Sequence, residues 1–292
     1  MHPIRCWRRT RVVQTNSLRQ REVDGGVMIN RLGKAAVVVL LAAGFQVFTF
    51  APALSRPAYK IIGLKTDNTL VTYEYNSRRS NQTKIQGVDG NVLGIDIRPA
   101  NGKLYAITDT DKIYTINSDT GVARLVSTLS VSFSGGFQSG VDFNPVADRL
   151  RLVANNGENF RINVDTGEVV VDQPLNYNPP QAIGVTASAY TNSRPGVSST
   201  TLYNLDYDSD SLVIQSPPND GVLATVGSLG FNLPPIAGFD IVTTRNGENV
   251  GFIAAGRSLY TVDLSTGRAT FMGNFRKGNL IGIAATITSR GR

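Results

Sequence analysis

Along the body of the chain, short apolar-rich runs follow one another between Gly, Asn, Asp and Pro, and no segment after residue 55 carries a helical period. The runs recur as a unit. Aligning the chain on Gly-apolar-Asp-apolar gives Gly94-Ile95-Asp96-Ile97, Gly140-Val141-Asp142-Phe143 and Gly238-Phe239-Asp240-Ile241, with degenerate copies at Gly184-Val185-Thr186-Ala187 and Gly282-Ile283-Ala284-Ala285. The copies are spaced by 46, 44, 54 and 44 residues, the repeat length of a four-stranded propeller blade. Each is followed by a second strand (Leu104 to Ile107 or Leu150 to Val153, for example) and a third (Ile113 to Ile116, Leu259 to Val262). A polar turn such as Asp165-Thr166-Gly167 comes next, its Gly supplying the positive φ of a hairpin reversal, and a fourth strand such as Ala123 to Val126 closes the unit.

The two ends of this body are incomplete in complementary ways. Tyr59 to Val88 supplies second, third and fourth strands without a first, and Leu280 to Thr288 supplies a first strand without the rest. Joined, they make a fifth blade and remove two exposed sheet edges. The expectation is an all-β, five-bladed β-propeller with four-stranded blades, the first blade closed by the C-terminal strand. An open β-sandwich is the runner-up and leaves the complementarity unexplained.

The chain of 292 residues is 41% hydrophobic, enough for a sizeable core. Its formal charge of +7 is unevenly placed. Residues 1–55 hold eight Lys/Arg against Glu22 and Asp24, and the remainder holds 21 basic and 20 acidic residues. The body therefore offers no electrostatic footprint for nucleic acid. The only His (His2), Cys (Cys6) and Trp (Trp7) also lie at the N-terminus, so a body freed of it has no Ser-His-Asp or Cys-His pair and no His/Cys metal site. No cofactor is expected.

That N-terminus divides in two. From Met28, a short basic segment with Arg31 and Lys34 precedes an apolar run from Ala35 to Phe50 and then Ala51-Pro52-Ala53-Leu54-Ser55. This is the pattern of a secretory signal cleaved after Ala53 or Ser55, the run being short for a membrane span. Residues 1–27 are polar and Arg-rich, read as an extension ahead of the true start or as disordered. The expected organisation is thus 1–27 extension, 28–55 signal peptide and 56–292 propeller. It predicts a monomeric protein exported to the periplasm, cell envelope or medium, with no stable membrane span after cleavage.

Asp96, Asp142 and Asp240 are the sharpest candidates for chemistry. The strand that opens a blade lies innermost, so three carboxylates can face the axis, bind a cation such as Ca²⁺ or act on a glycosidic bond. Repetition at one blade position fits a structural task better, because catalytic acid and base need different environments. Arg149, Arg151 and Arg161 are peculiar to one blade. They suit an anionic ligand, or inter-blade pairing with Asp142 or Asp148, which is the favoured expectation. Asp206-Tyr207-Asp208-Ser209-Asp210 starts like a calcium loop, but Ser211 and Pro217 replace its Gly and Glu, leaving an acidic hairpin turn. Asn192 to Thr200 reads as an insertion over one face of the ring.

At Asn144-Pro145-x-x-Asp148-Arg149-Leu150-Arg151, followed by Asn159-x-Arg161-x-Asn163-x-Asp165-Thr166-Gly167, the sequence resembles a bacterial family known as domain of unknown function 4394. The likeness extends from about residue 61 to 285 and includes Gly94 to Tyr105, Ala189 to Asn192 and Pro217 to Gly221. It implies a secreted, propeller-like protein and carries no chemistry. Taken together, the sequence favours a non-catalytic binding or scaffold module whose partner is an extracytoplasmic protein or glycan. A carboxylate-dependent glycan hydrolase working at the axial cavity is the alternative.

Overall fold

The computed structural model describes residues 58–77, 79–275 and 278–288. The extension and signal segment expected over residues 1–55 lie outside the described residues. Strands β1 (Ala58–Leu64), β2 (Thr69–Glu74) and β3 (Arg79–Lys84) begin blade 1. Blade 2 is β4 (Val92–Ile97), β5 (Leu104–Thr108), β6 (Lys112–Ile116) and β7 (Ala123–Thr128). Blade 3 is β8 (Ser139–Asn144), β9 (Arg149–Ala154), β10 (Asn159–Ile162) and β11 (Val169–Val171). Blade 4 takes β12 (Asn176–Tyr177), β13 (Val185–Tyr190), β14 (Leu202–Asp206), β15 (Ser211–Gln215) and β16 (Val222–Ser228). Blade 5 is β17 (Ala237–Thr243), β18 (Asn249–Ala255), β19 (Ser258–Val262) and β20 (Ala269–Asn274), after which β21 (Gly282–Thr288) returns to blade 1.

The sheet order of blade 1 is β21-β1-β2-β3, so the C-terminal strand closes the first blade as the complementary ends predict. It pairs antiparallel with β1 from Leu64↔Gly282 to Ala58↔Thr288. The inner strands β4, β8, β13, β17 and β21 each contact the next around the ring, making a five-bladed propeller. Its apolar core is distributed: five clusters of buried side chains sit one at each blade boundary. Between blades 2 and 3, Tyr105 meets Phe143 edge-on at 5.2 Å. The turn Asp165-Thr166-Gly167 reverses the chain with Gly167 at φ +80°, its Cα packed against the backbone of Thr128.

Two details depart from the sequence reading. Blade 4 carries an extra strand, β12, parallel to β16 at its outer edge. The inner strand of blade 4 is also registered three residues later than the Gly184 alignment. Asp142 Oδ1 accepts a hydrogen bond from Tyr190 N just as Asp96 Oδ2 accepts one from Phe143 N, so Tyr190 matches Phe143 and Ala187 matches Gly140. The five inner positions are then Gly94, Gly140, Ala187, Gly238 and Gly282, spaced by 46, 47, 51 and 44 residues. Ala and Ser have erased the signature in this blade, and Gly184 imitates it. Gly184 serves another purpose, since a Cβ there would stand 2.5 Å from Asp208 N.

Candidate functional site

The small residues of the inner strands fix how near the blades come to the axis. A Cβ on Gly238 would lie 2.7 Å from the Gly282 carbonyl carbon, and one on Gly140 would run into Ser188. The strands therefore close on one another, and the axial space at this level is about 10 Å³, the threshold for one water.

Two residues further along the strands stand Asp96, Asp142, Ala189, Asp240 and Ala284. The three carboxylates are buried, and an oxygen of each lies within 4.8 Å of the others. Each also reaches the inner strand of the following blade: Asp96 Oδ2 accepts from Phe143 N at 2.8 Å, Asp142 Oδ1 from Tyr190 N at 3.1 Å and Asp240 Oδ2 from Ala285 N at 2.5 Å. Asp96 Oδ1 and Asp240 Oδ1 take the amides of Ile97 and Ile241, both at 2.6 Å. Inner strands of neighbouring blades share no ladder of hydrogen bonds, and the carboxylates satisfy amides left over at these junctions.

No ion pair among the described residues involves these three groups. Burial, and then repulsion from neighbouring carboxylates, raises Asp96 and Asp142 well above the usual carboxylate range. Burial pushes Asp240 up to about 7. A cation would fit the donor set, since five backbone amides take one lone pair each from the six oxygens and none of them falls on Asp142 Oδ2. Without a cation, burial and mutual repulsion favour the protonated carboxyls at a pH where ordinary carboxylates are ionised.

A carboxyl whose pKa is higher folded than unfolded binds more protons in the folded state, so its contribution is complete below about pH 4 and lost as the pH rises through 7. Asp165, held below the usual range by its bonds to Arg98, acts oppositely and only below about pH 4. Thermal melting followed from pH 3 to 9 should show a maximum near pH 4–5 and decline toward pH 8, by about 1.4 kcal/mol per pH unit for each proton retained. A profile still rising between pH 5 and 8 would contradict the assignment.

Above the carboxylates is a cavity of about 240 Å³ lined by Asp96, Asp240, Pro99, Thr243 and, from the insertion after β13, Arg194 and Pro195. The insertion does stand over this face. The acidic stretch 206–210 is a hairpin turn as expected: Asp206 Oδ1 accepts from Asp208 N and Ser209 N at 3.0 Å, and Oδ2 from Tyr177 OH at 2.6 Å.

The arginines correct the pairing expected for them. Arg151 is fully buried, and its partners are Asp172 (2.7 Å), Asn159 (2.6 Å), Asn219 (2.9 Å) and Tyr190 OH (3.2 Å), not Asp142 or Asp148. Arg161 stands directly across from it in the ladder and shares Asp172, bidentately at 2.7 and 2.8 Å. Arg149 meets only the carbonyls of Ala147 and Asp148 in its own turn. The three form no common anion site. Asp148 does pair between blades, but with Arg98, which follows β4. Arg98 grips Asp148 at 2.6 and 2.8 Å and Asp165 at 2.8 and 2.9 Å. Sequence reasoning passed over Arg98 because its blade copies are Asn144, Thr191, Val242 and Thr286, which share no charge with it.

Comparison with known proteins supplies the family. The model of Domain of unknown function (DUF4394) matches residues 69–284. The chain belongs to the DUF4394 family. The match runs from β2 into β21, so the DUF4394 domain is this propeller. No curated protein matches the chain. Among solved structures it is similar to a structural genomics protein of unknown function from Bacteroides thetaiotaomicron VPI-5482, with 18% identity and a TM-score of 0.48. That alignment covers 78% of this chain and 62% of the other, so the chain spans less than two thirds of that protein's length. A second, a protein of unknown function from Bacteroides caccae, shows 10% identity and a TM-score of 0.41, over 75% of this chain and 73% of that one.

Proposed function

We propose that this DUF4394 propeller is a non-catalytic binding or scaffold module, working outside the cytoplasm on a protein or glycan partner. One observation carries the reading: the carboxylates repeated on the inner strands, Asp96, Asp142 and Asp240, are buried and each accepts an amide of the next blade. A glycan hydrolase needs one carboxyl kept protonated beside another kept ionised, both reaching the scissile bond. Here all three perform the same task, each accepting an amide from the inner strand of the next blade. The described residues contain no His or Cys to replace them, and none of their helices is long and apolar enough to cross a membrane. The apolar run at residues 35–50 supports export.

The test is to incubate the protein with a panel of immobilised glycans and extracellular proteins, measuring retention and the release of new reducing ends together. Retention without product is expected. Release of reducing ends that disappears in Asp96→Asn would overturn the proposal in favour of the hydrolase.

A further inference from the structure

The boundary between blades 1 and 2 is open where the next boundary is filled. Between blades 2 and 3, the Arg98 guanidinium lies over the rings of Tyr105 and Phe143, at 5.7 and 5.9 Å, and is clamped by Asp148 and Asp165. The register of the inner pairs, Asp96↔Tyr105 in blade 2, Asp142↔Arg151 in blade 3 and Ala284↔Ile62 in blade 1, identifies the equivalent residues one boundary earlier. Thr286 replaces Arg98, Ile62 replaces Tyr105 and Ile97 replaces Phe143. Gly102 replaces Asp148, both with positive φ (+68° and +50°), and Asp119 replaces Asp165.

Every one of these substituted positions lines a single cleft of about 730 Å³. The cleft is thus the slot of the Arg98 clamp with its occupant and one of its acids removed. Its volume falls within the roughly 300–1,000 Å³ of small-ligand sites.

Its chemistry differs from that of the clamp. Lys60, Lys103 and Arg124 line it against a single acid, Asp119. Asp119 is solvent-exposed and only loosely paired with Lys60, at 3.8 Å. This surplus of positive charge arises in a body whose residues 56–292 are nearly neutral, with 21 basic and 20 acidic side chains. The floor is apolar, formed by Ile62, Ile97, Leu104 and Ile116, and no aromatic ring lines the cleft to stack on a sugar. Cations at the rim over an aliphatic floor suit a ligand with an acidic head and an apolar body.

We infer that the cleft between blades 1 and 2 is a binding site for an amphipathic carboxylate, such as a peptide C-terminus with an aliphatic side chain or a medium-chain acyl carboxylate. The inference rests on the reading of the domain as a binding module and names a site for it away from the axial carboxylates.

Calorimetry with two pairs of probes tests it: N-acetyl-trileucine as free acid and as amide, and decanoate against decanol. The acids should bind, and the neutral partners at least tenfold more weakly. Whichever acid binds tighter identifies the source of the carboxylate. Lys103→Ala with Arg124→Ala, both exposed, should weaken the acids at least tenfold without moving the melting temperature. Thr286→Arg with Gly102→Asp rebuilds the clamp against Asp119. A Cβ at Gly102 meets nothing within 4 Å but its φ of +68° strains an Asp there as φ +50° does Asp148, so this variant should melt within a few degrees of the parent while losing the acids. Neither acid binding, amide and alcohol binding as well as the acids, or a rebuilt clamp that leaves affinity unchanged overturns the inference. The reducing-end assay is independent of this cleft, so failure here and failure of the binding-module reading are told apart.

Discussion

Deleting residues 280–292 should abolish the cooperative fold. The deletion removes β21, the inner strand that pairs with β1 and stands between β17 and β4. Leu280, Ile281 and Ile283 are all buried, and each loses about 1.5–3 kcal/mol of apolar burial. Their sum approaches the roughly 5–15 kcal/mol by which a domain is stable. The cost is greater than burial alone, because Ala285 N leaves Asp240 and the edge of β1 opens to solvent. Near-UV circular dichroism of the truncated chain should show no fixed tertiary signal and no sharp melt. A melting temperature within a few degrees of the parent would mean that the ring does not depend on its C-terminal closure.

Replacing Arg151 by methionine should destabilise the folded domain by about 3–5 kcal/mol, because buried bonds to Asp172, Asn159 and Tyr190 OH are lost together at about 1–3 kcal/mol each. For a domain of this size that lowers the melting temperature by roughly 6–20 °C. Asp172 keeps Arg161 and Asn159 Oδ1 keeps Gln215 Nε2, but both lose a charged donor inside the boundary between blades 3 and 4, and the exposed Asn219 loses its contact as well. The paired control is Arg149→Met. Its guanidinium meets only two carbonyls, at 3.1 and 3.4 Å, and the change should stay within about 0.5 kcal/mol. Equal effects of the two substitutions would contradict the description of the boundary.

The contrast between these arginines shows what the sequence conveys and what it hides. Blade count and closure were legible because the inner strand must be narrow and must offer an acceptor to its neighbour, which writes Gly-x-Asp into three of five blades. Where blade 4 solves the same packing problem with Ala187 and Ala189, the motif vanishes and Gly184 misleads the alignment by three residues. The axial carboxylates were legible as a repeated structural position, although nothing in the spacing says that their oxygens converge within 4.8 Å.

Side-chain partners across a boundary were not legible. Alternation puts Arg149 and Arg151 on one face, but which acid each meets depends on loops from other blades. Asp172 and Asn219 come from segments with no repeated pattern. The cleft between blades 1 and 2 was hidden for the same reason: Thr286 and Gly102 are unremarkable until they are superposed on Arg98 and Asp148.

The inner-strand carboxyls Asp96, Asp142 and Asp240 each stitch their blade to the next, and their burial favours the protonated form. Their role is tested most directly by melting the parent and the variant Asp96→Asn/Asp142→Asn/Asp240→Asn at pH 5 and pH 8. Asn keeps one acceptor oxygen for the amides of Phe143, Tyr190 and Ala285 while removing the charge, at the cost of the second bonds from Ile97 N and Ile241 N. The account predicts a parent that is clearly less stable at pH 8 than at pH 5, and a folded variant in which most of that difference is gone. A folded variant that keeps the full pH dependence of the parent would contradict it.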